Sequence, residues 1–354
     1  RAGHQNILYL EVMESLMLSE VPGLVAGVTL TGDPEADYKT IMASPFGQQY
    51  DTLLATMKQQ VDDAFAQRET NLQCGTKEAQ PGCRVKVRLL HQVIRSMDPA
   101  SVYAQFILGW GAMAQIEQIV GINLVAPEDG FVALRDYSQH MAMIDYLYTN
   151  KGAQNVALHA GELTLGLVRP RELRSHMWQA IRKGHAKRIG HGIDVAYENE
   201  SQKLLEHMRD NDIMVEINLT SNDVILGVEG DTHPLWLYRE NDVPYAFSTD
   251  DEGVSRIDLT HEYMRGAVTF DLPYFELKRG SRNSLTYSFL PGESLWDIPS
   301  CIKDLKAESA KQSSACAEAI KASEKAFKQY ELEVAFRKFE AGLKLQRDQR
   351  RLFN

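Results

Sequence analysis

The sequence of 354 residues contains no apolar run that approaches the roughly 18 residues needed to span a bilayer, and no signal peptide is visible. Basic residues are in the minority, because 38 lysines and arginines stand against 48 acidic residues, a formal net charge of −10 at pH 7. The acidic excess lies in residues 1–300, so most of the chain lacks the basic face that a phosphate backbone requires. We therefore expect no membrane span and no nucleic-acid partner, and favour a small neutral or cationic substrate.

Cysteine is scarce and never occurs as a C-x-x-C pair, so a structural zinc knuckle is not expected. The four cysteines are Cys74, Cys83, Cys301 and Cys316. The first two flank a polar loop that a disulfide could close, and the even number permits two bridges. Two disulfides would indicate a periplasmic or secreted protein, which we favour, whereas four free thiols would fit a cytoplasmic enzyme.

Seven short apolar runs rich in β-forming residues recur along the first 250 residues. Segments with helical periodicity separate them, and this alternation predicts βα units around a parallel sheet. Seven strands are one short of the (β/α)8 TIM barrel, the α/β fold that we expect. The runs are 7–12, 85–94, 119–125, 155–159, 187–191, 213–219 and 243–248.

The chain divides into a predicted barrel, residues 1–300, and a C-terminal helical extension, residues 301–354. Segment 28–84 is too long for a single crossover and predicts an inserted helix followed by the cysteine-flanked loop. The extension ends in a long amphipathic helix, whose apolar stripe has the spacing of a buried face. We expect this stripe to contact the core or a second subunit of a homo-oligomer. It consists of Leu332, Phe336, Phe339 and Leu343.

Three predicted strands end in compact polar motifs: LHAGE at 158–162, RIGHG at 188–192 and FSTDDEG at 247–253. A fourth, EINLTSN at 216–222, ends in small hydroxyl and amide residues. Barrel enzymes carry catalytic groups at the C-terminal ends of their strands, so these side chains should meet at one mouth. Histidine and carboxylate are ligands that a catalytic zinc accepts. The motifs predict a metal site with acid–base partners, formed by His159, Glu162, His191, Asp250 and Asp251.

Each motif alone also has a purely structural interpretation. A lone histidine at a strand end is usually a hydrogen-bonded polar group, and the two aspartates could cap a helix. Gly161 and Gly192 could serve tight turns. Three such motifs, each at a strand end, favour the catalytic interpretation. For seven further histidines we expect only a structural role: His4, His91, His140, His176, His185, His207 and His233.

On these residues the chain resembles the adenosine deaminase family of zinc-dependent amidohydrolase barrels. LHAGE, RIGHG and STDD are hallmark blocks of that family, and RNSLTYSF at 282–289 resembles the segment that follows its barrel. STDDEGVSR and INLVAPED resemble a bacterial adenosine-deaminase-like branch. The cytidine-deaminase type of zinc site uses P-C-x-x-C, which does not occur here.

The resemblance implies one zinc ion, held in part by His159 and Asp250. It implies that Glu162 protonates the purine ring nitrogen beside the carbon under attack and that His191 orients the attacking water. Asp251 would accept or share a hydrogen bond at the imidazole-ring nitrogen of the purine. The implied reaction is the hydrolytic deamination of adenosine, or of a close 6-aminopurine nucleoside, to inosine and ammonia.

Two features depart from the pattern of the family. Its first strand ends in an H-x-H pair that supplies two more zinc ligands, and this sequence contains no H-x-H. Because the same strand is missing from the seven, we expect a separate N-terminal segment to complete the barrel. After strand 119–125 the family commonly has a glycine whose N–H contacts the purine. Here Ala126 precedes Pro127, which has no N–H, so that Ala126 and Gly161 are the expected substrate contacts.

Two alternatives remain open on the sequence. The same chemistry could act on another aminopurine, of the adenine or futalosine type. A chain with only His159 and Asp250 as ligands could instead be a non-catalytic binding or assembly subunit.

Overall fold

The computed structural model describes residues 1–306 and 312–352, and for the last nine of these it describes the backbone alone. Seven short strands appear where the sequence predicts them, and their ends agree with the predicted ends to within two residues. They are β1 (Tyr9–Glu14), β2 (Lys86–Ile94), β3 (Ile119–Val125), β4 (Ala157–Ala160), β5 (Arg188–His191), β6 (Met214–Ile217) and β7 (Tyr245–Phe247).

All strand pairs are parallel and follow the order of the chain. Strands β1, β2 and β3 form one sheet, and β4, β5, β6 and β7 form a second. A single parallel bridge between Ile122 of β3 and Val156 next to β4 connects them. Among the described residues, β1 does not pair with β7, so closure into a barrel is not observed. The predicted α/β class with a parallel sheet is thereby confirmed.

Helices follow the strands and cover the sheets. The α-helices are α1 (Val21–Leu24), α2 (Pro34–Ala43), α3 (Pro45–Asn71), α4 (Pro99–Gln115), α5 (Phe131–Asn150), α6 (His176–Arg182), α7 (Ser201–Asp210), α8 (Leu219–Leu226), α9 (Leu235–Glu240), α10 (Glu252–Ser255), α11 (Leu259–Thr269), α12 (Tyr274–Thr286), α13 (Pro299–Lys306), α14 (Ser314–Lys321) and α15 (Glu324–Leu352). Short 3₁₀ helices span Ala2–Gln5, Pro81–Arg84, Glu172–Arg174, Ile193–Tyr197, Gly230–Thr232 and Leu295–Asp297.

Helix α4 shows how the sequence sets these elements. The side chain of Asp98 accepts hydrogen bonds from the backbone N–H groups of Ala100 and Ser101, both at 3.1 Å, and Pro99 occupies the first helical position. Most of the helix is buried, because it packs against β2 and β3 on one side and against α3 and α5 on the other. Within the described residues, no helix is both long enough and apolar enough to cross a membrane.

The four cysteines form two disulfides. Cys74 is bonded to Cys83, with Cα atoms 5.5 Å apart, and closes the polar loop after α3. Cys301 of α13 is bonded to Cys316 of α14. The pairing agrees with the disulfide interpretation of the sequence and not with four free thiols. Disulfides of this kind persist in oxidising compartments.

The C-terminal helix α15 packs on α12 of the same chain. Arg282 pairs with Glu333, and Lys278 with Glu340, each at 2.6 Å. Phe339 and Leu343 are 54% and 47% exposed, so the second half of the apolar stripe does not contact the core of this chain, and a contact with a second subunit stays a prediction. The helix turns its glutamates toward α12 instead. Residues 307–311 and 353–354 of the predicted extension lie outside the described residues.

Candidate active site

The C-terminal ends of β4 and β5 bring together three side chains of the types that can ligate a metal ion. His159 lies in β4, Glu162 lies in the turn after it, and His191 is the last residue of β5. One ligand atom from each lies within 4.8 Å of the other two. His159 Nε2 is 3.3 Å from Glu162 Oε2, and His191 Nδ1 is 3.3 Å from Glu162 Oε1. The side chains of LHAGE and RIGHG thus meet because β4 and β5 are paired neighbours.

The turn after β4 needs glycine. Gly161 has a φ of 79°, and a Cβ atom there would lie 2.7 Å from Oδ1 of Asp194. His191 has a φ of 77°, a left-handed conformation that is uncommon for a residue with a side chain. Such backbone outliers concentrate at functional sites, where the surrounding structure holds them in place.

Glu128, which was not predicted as a site residue, fixes the backbone of this turn through hydrogen bonds. Its two carboxylate oxygens accept the backbone N–H groups of Gly161 and Glu162, at 3.1 and 2.8 Å. His176 Nδ1 is 2.7 Å from Glu128 Oε1, and its ring stacks on Tyr137. Burial alone would raise the pKa of Glu128, but the hydrogen bond and charge of His176 outweigh it and lower that pKa. In the sequence, Glu128 is marked only by its place in the motif INLVAPED, which ends in two acidic residues.

Arg95 is a second residue that the sequence analysis missed. It follows β2, has no exposed surface, and donates to the carbonyl oxygens of Leu124, Val125 and His159 at 3.2–3.3 Å. Its guanidinium thereby fixes the C-terminal ends of β3 and β4. Burial, reinforced by the charge of Arg95, lowers the pKa of His159 to about 3. His159 is therefore neutral near pH 7, the form in which imidazole binds metals.

The pKa of Glu162 is shifted toward neutral pH. Burial raises its pKa to about 6, although the charge of His191 opposes this shift. A carboxyl group that titrates near neutral pH can both hold and release a proton under ordinary conditions.

His191 is oriented by amides from the EINLTSN motif. Its Nδ1 lies 3.1 Å from Nδ2 of Asn222 and 3.4 Å from Nδ2 of Asn218. Asn222 extends this series of hydrogen bonds, because its Oδ1 is 3.2 Å from His233 Nε2. Burial lowers the pKa of His191, and the charge of the neighbouring His159 lowers it further. His176 and His233, for which only structural roles were expected, thus lie directly behind the site.

The remaining predicted site residues lie outside the three-residue cluster. Asp250 has a φ of 52°, and its Oδ2 accepts a hydrogen bond from Ser221 Oγ at 2.7 Å. Asp251 precedes α10 and is exposed for much of its surface, and the partial desolvation of its carboxyl group, together with the charge of Asp250, raises its pKa. Ala126 follows β3 with a φ of 84°, a conformation that glycine adopts without strain.

The chain matches the family model described as adenosine deaminase over residues 49–305. It belongs to the adenosine deaminase family. It is similar to the adenosine deaminases of Escherichia coli and Shigella boydii, with 28% identity over 216 residues that cover 60% of this chain and 59% of each relative. The match therefore spans less than two thirds of the length of these curated relatives.

One solved structure shows the same kind of fold. A Burkholderia ambifaria amidohydrolase with bound Zn has a TM-score of 0.50 and 14% identity, and the match covers 82% of this chain and 65% of that chain. An adenine deaminase from Arthrobacter aurescens has a TM-score of 0.49 and 16% identity, over 80% of this chain and 94% of that chain. The similarity to the Burkholderia structure, at 14% identity, concerns the α/β fold alone, and nothing is inferred from the match with a TM-score under 0.5.

The cluster is chemically suited to a zinc ion. His159 Nε2 and Glu162 Oε1 are buried and have no hydrogen-bond partner within the described part of the chain. Buried polar atoms without partners are unfavourable, and a bound cation would satisfy His159 Nε2. Imidazole nitrogen and carboxylate oxygen are ligands that zinc accepts. The residues present therefore fit the metal that the family resemblance implies.

Proposed function

We propose that this chain catalyses the hydrolytic deamination of adenosine, or of a close 6-aminopurine nucleoside, to inosine and ammonia. The observation that carries the proposal is the cluster of His159, Glu162 and His191 at the C-terminal ends of β4 and β5, in a member of the adenosine deaminase family. Residues 1–300, with the insertion 28–84, would supply seven of the eight strands of a (β/α)8 TIM barrel that a separate N-terminal segment completes, and residues 301–354 would be its helical extension. The two disulfides support a periplasmic or secreted location.

We assign one zinc ion to the site, with His159 and Asp250 as ligands. Bound zinc lowers the pKa of water to roughly 7 and so supplies a nucleophile at neutral pH. Arg95 supports this role, because it holds the backbone carbonyl of His159 and helps to keep the imidazole neutral.

The other residues act on the purine and on the water. Glu162 protonates the ring nitrogen beside the carbon under attack, which offsets the loss of aromaticity when the water oxygen bonds to that carbon. His191, oriented by Asn222, holds the water and takes up its proton. The C–N bond then breaks, the amino group takes the proton that His191 holds and leaves as ammonia, and the hydroxyl proton of the intermediate returns to the carboxylate of Glu162. Asp251, whose pKa is raised, shares a hydrogen bond with the imidazole-ring nitrogen of the purine.

Two small residues complete the substrate contacts. Ala126 offers its backbone N–H after β3, and Gly161 leaves space for a flat ring because it has no side chain. A purine nucleoside is therefore the partner we assign to this mouth.

The test is turnover of adenosine by the zinc-supplemented protein, followed by the loss of adenosine absorbance, with adenine assayed in parallel. We expect adenosine to be deaminated faster than adenine. Faster turnover of adenine would show that adenine, and not adenosine, is the preferred substrate of the two. No turnover of any aminopurine, in protein that holds zinc and is folded, would refute the deaminase function.

One observation favours a second candidate, a non-catalytic subunit that binds ligand. The sequence contains no H-x-H pair, so two ligands of the family zinc site have no counterpart in it. Metal analysis separates the candidates. About one zinc per chain, lost in Asp250→Ala, supports the enzyme, whereas a folded protein without zinc supports the subunit.

A further inference from the structure

The ring of His233 has no exposed surface and lies against the first turn of α9. The backbone N–H of Leu235, the first residue of that helix, donates to Nδ1 of His233 at 3.1 Å. The first N–H groups of a helix have no acceptor within the helix, so this one is a committed donor. Nδ1 of His233 must therefore keep its lone pair, because a protonated ring nitrogen cannot accept a hydrogen bond.

The position of the proton on His233 follows from this contact. Burial lowers the pKa of His233 to about 3, so the ring is neutral near pH 7 and carries one proton. Since Nδ1 is an acceptor, that proton lies on Nε2. Nε2 is 3.2 Å from Oδ1 of Asn222, and the ring nitrogen is the donor of this hydrogen bond.

The hydrogen bond from His233 sets the direction of the Asn222 amide, which also has no exposed surface. With Oδ1 facing His233, Nδ2 faces His191 and lies 3.1 Å from its Nδ1. Asn218 supplies a second, longer donor. Its Oδ1 accepts the hydroxyl of Ser248, and its Nδ2 lies 3.4 Å from the same nitrogen of His191. An amide NH2 group only donates, so Nδ1 of His191 is an acceptor.

These contacts fix the tautomer of the neutral His191 ring. Nδ1 keeps its lone pair, and the single ring proton lies on Nε2. The lone pair is on the side of the ring next to Glu162, whose Oε1 is 3.3 Å from Nδ1. In the proposed reaction, a proton taken from water can therefore enter the ring only at Nδ1, where it displaces the hydrogen bond from Asn222. A proton held at that cost is readily passed on to the leaving amino group.

We propose that His233 and Asn222 are positioning residues, which fix the Nε2–H tautomer of His191 and so make Nδ1 its basic nitrogen. The consequence for turnover rests on the proposed deaminase function, whereas the tautomer itself does not. The series begins at a backbone N–H of α9 and ends beside Glu162, so a helix outside the three-residue cluster determines which nitrogen of His191 is the base.

The tautomer is measured by ¹⁵N NMR of the whole protein with labelled histidine, because protonated and unprotonated ring nitrogens give well-separated signals. His191→Gln and His233→Gln assign the two rings by the signals that each variant loses. We expect both rings of the unaltered protein to carry their proton on Nε2. In Asn222→Asp the carboxylate can only accept, so His191 should change to the Nδ1–H tautomer while His233 keeps its own.

The matched control is Asn211→Asp. Nδ2 of Asn211 lies 3.2 Å from Nδ1 of His207 at the end of α7, an equivalent contact at the surface, and its loss should leave the signals of His191 unchanged. In adenosine turnover, Asn222→Asp should lower kcat by about 10²-fold with little change in KM, the size of effect expected when the base is lost, and Asn211→Asp should lower neither.

His233→Phe is a second variant, in case Asn222→Asp does not fold by thermal melt. It removes the donor that orients the Asn222 amide, so His191 should show both tautomers. A His191 ring with its proton on Nδ1 in the unaltered protein would overturn the proposal, as would a tautomer that neither variant changes. If the unaltered protein deaminates no aminopurine, the proposed function fails, and the NMR signals still decide the role of His233 and Asn222.

Discussion

Glu162 and His191 lie side by side at the ends of two neighbouring strands, with His191 Nδ1 3.3 Å from Glu162 Oε1. The contact joins a carboxyl group that titrates near neutral pH to an imidazole whose pKa burial lowers. Both shifts favour the uncharged form of the group concerned. That combination suits a carboxyl group that gives a proton to a ring nitrogen and an imidazole that takes one from water.

The variant Glu162→Gln distinguishes between two roles of Glu162, proton donor and metal ligand. If Glu162 protonates the purine, the variant should lose at least about 10²-fold in kcat and keep its zinc, because general acid catalysis contributes that much and the amide preserves the shape of the side chain. Metal analysis and adenosine turnover measure the two effects. Glu206→Gln, on the exposed face of α7, is the control. A loss of zinc in Glu162→Gln would show instead that Glu162 is a ligand.

Glu128→Ala should damage the turn that carries Glu162. The substitution leaves two buried backbone N–H groups, those of Gly161 and Glu162, without their acceptor. We expect a loss of about 1–3 kcal/mol in the free energy of unfolding for each unsatisfied donor, measured with urea, together with a lower kcat. The neighbouring Asp129→Asn should change neither. A Glu128→Ala protein of unaltered stability would contradict the structural role of these two bonds.

The sequence could predict the strands and the polar strand ends, because both are local. An apolar β-forming run followed by glycine and a polar residue suffices to place His159, Glu162 and His191, and parallel pairing then brings them together. The pair of Glu128 and His176 could not be predicted, because 48 residues separate them and neither follows a periodic pattern. The exposure of Phe339 within this chain has a related explanation. Helical spacing identifies a stripe, but the ion pairs with α12 decide which face of α15 turns inward.

Glu198→Gln should change how stability depends on pH. Glu198 accepts the backbone N–H of Met177 at 2.6 Å, while its Oε2 is buried without a partner among the described residues. Burial raises its pKa to about 8 from 4.5. The folded state therefore holds one more proton than the unfolded state between these values, so stability is complete below about pH 4.5 and falls as pH rises toward 8.

A glutamine at this position cannot ionise and should escape this fall. Urea unfolding at pH 5.5 and 8.5 measures the free energy of unfolding of both proteins. From the lower to the higher pH, the difference between the variant and the unaltered protein should shift in favour of the variant by an amount of the order of 3 kcal/mol. Asp194, whose pKa burial also raises, faces the same interior, so Asp194→Asn measures its share separately. Parallel pH profiles for Glu198→Gln and the unaltered protein would contradict the buried, protonated state of Glu198.

Gly161→Ala should reveal how tightly the catalytic turn is packed. At a φ of 79° any side chain is strained by about 1–2 kcal/mol, and here the added Cβ would also lie 2.7 Å from Asp194 Oδ1 and 3.0 Å from Gly192 Cα. Gly227→Ala is the matched control, since Gly227 has a φ of 65° and nothing lies within 4 Å of its Cβ position. Both variants carry the backbone strain, and only Gly161→Ala carries the clash. We therefore expect a larger fall in melting temperature for Gly161→Ala, with a lower kcat that Gly227→Ala does not share. Equal effects of the two substitutions would mean that the turn yields to the methyl group, and that the approach of Asp194 to the backbone of Gly161 does not fix the position of Glu162.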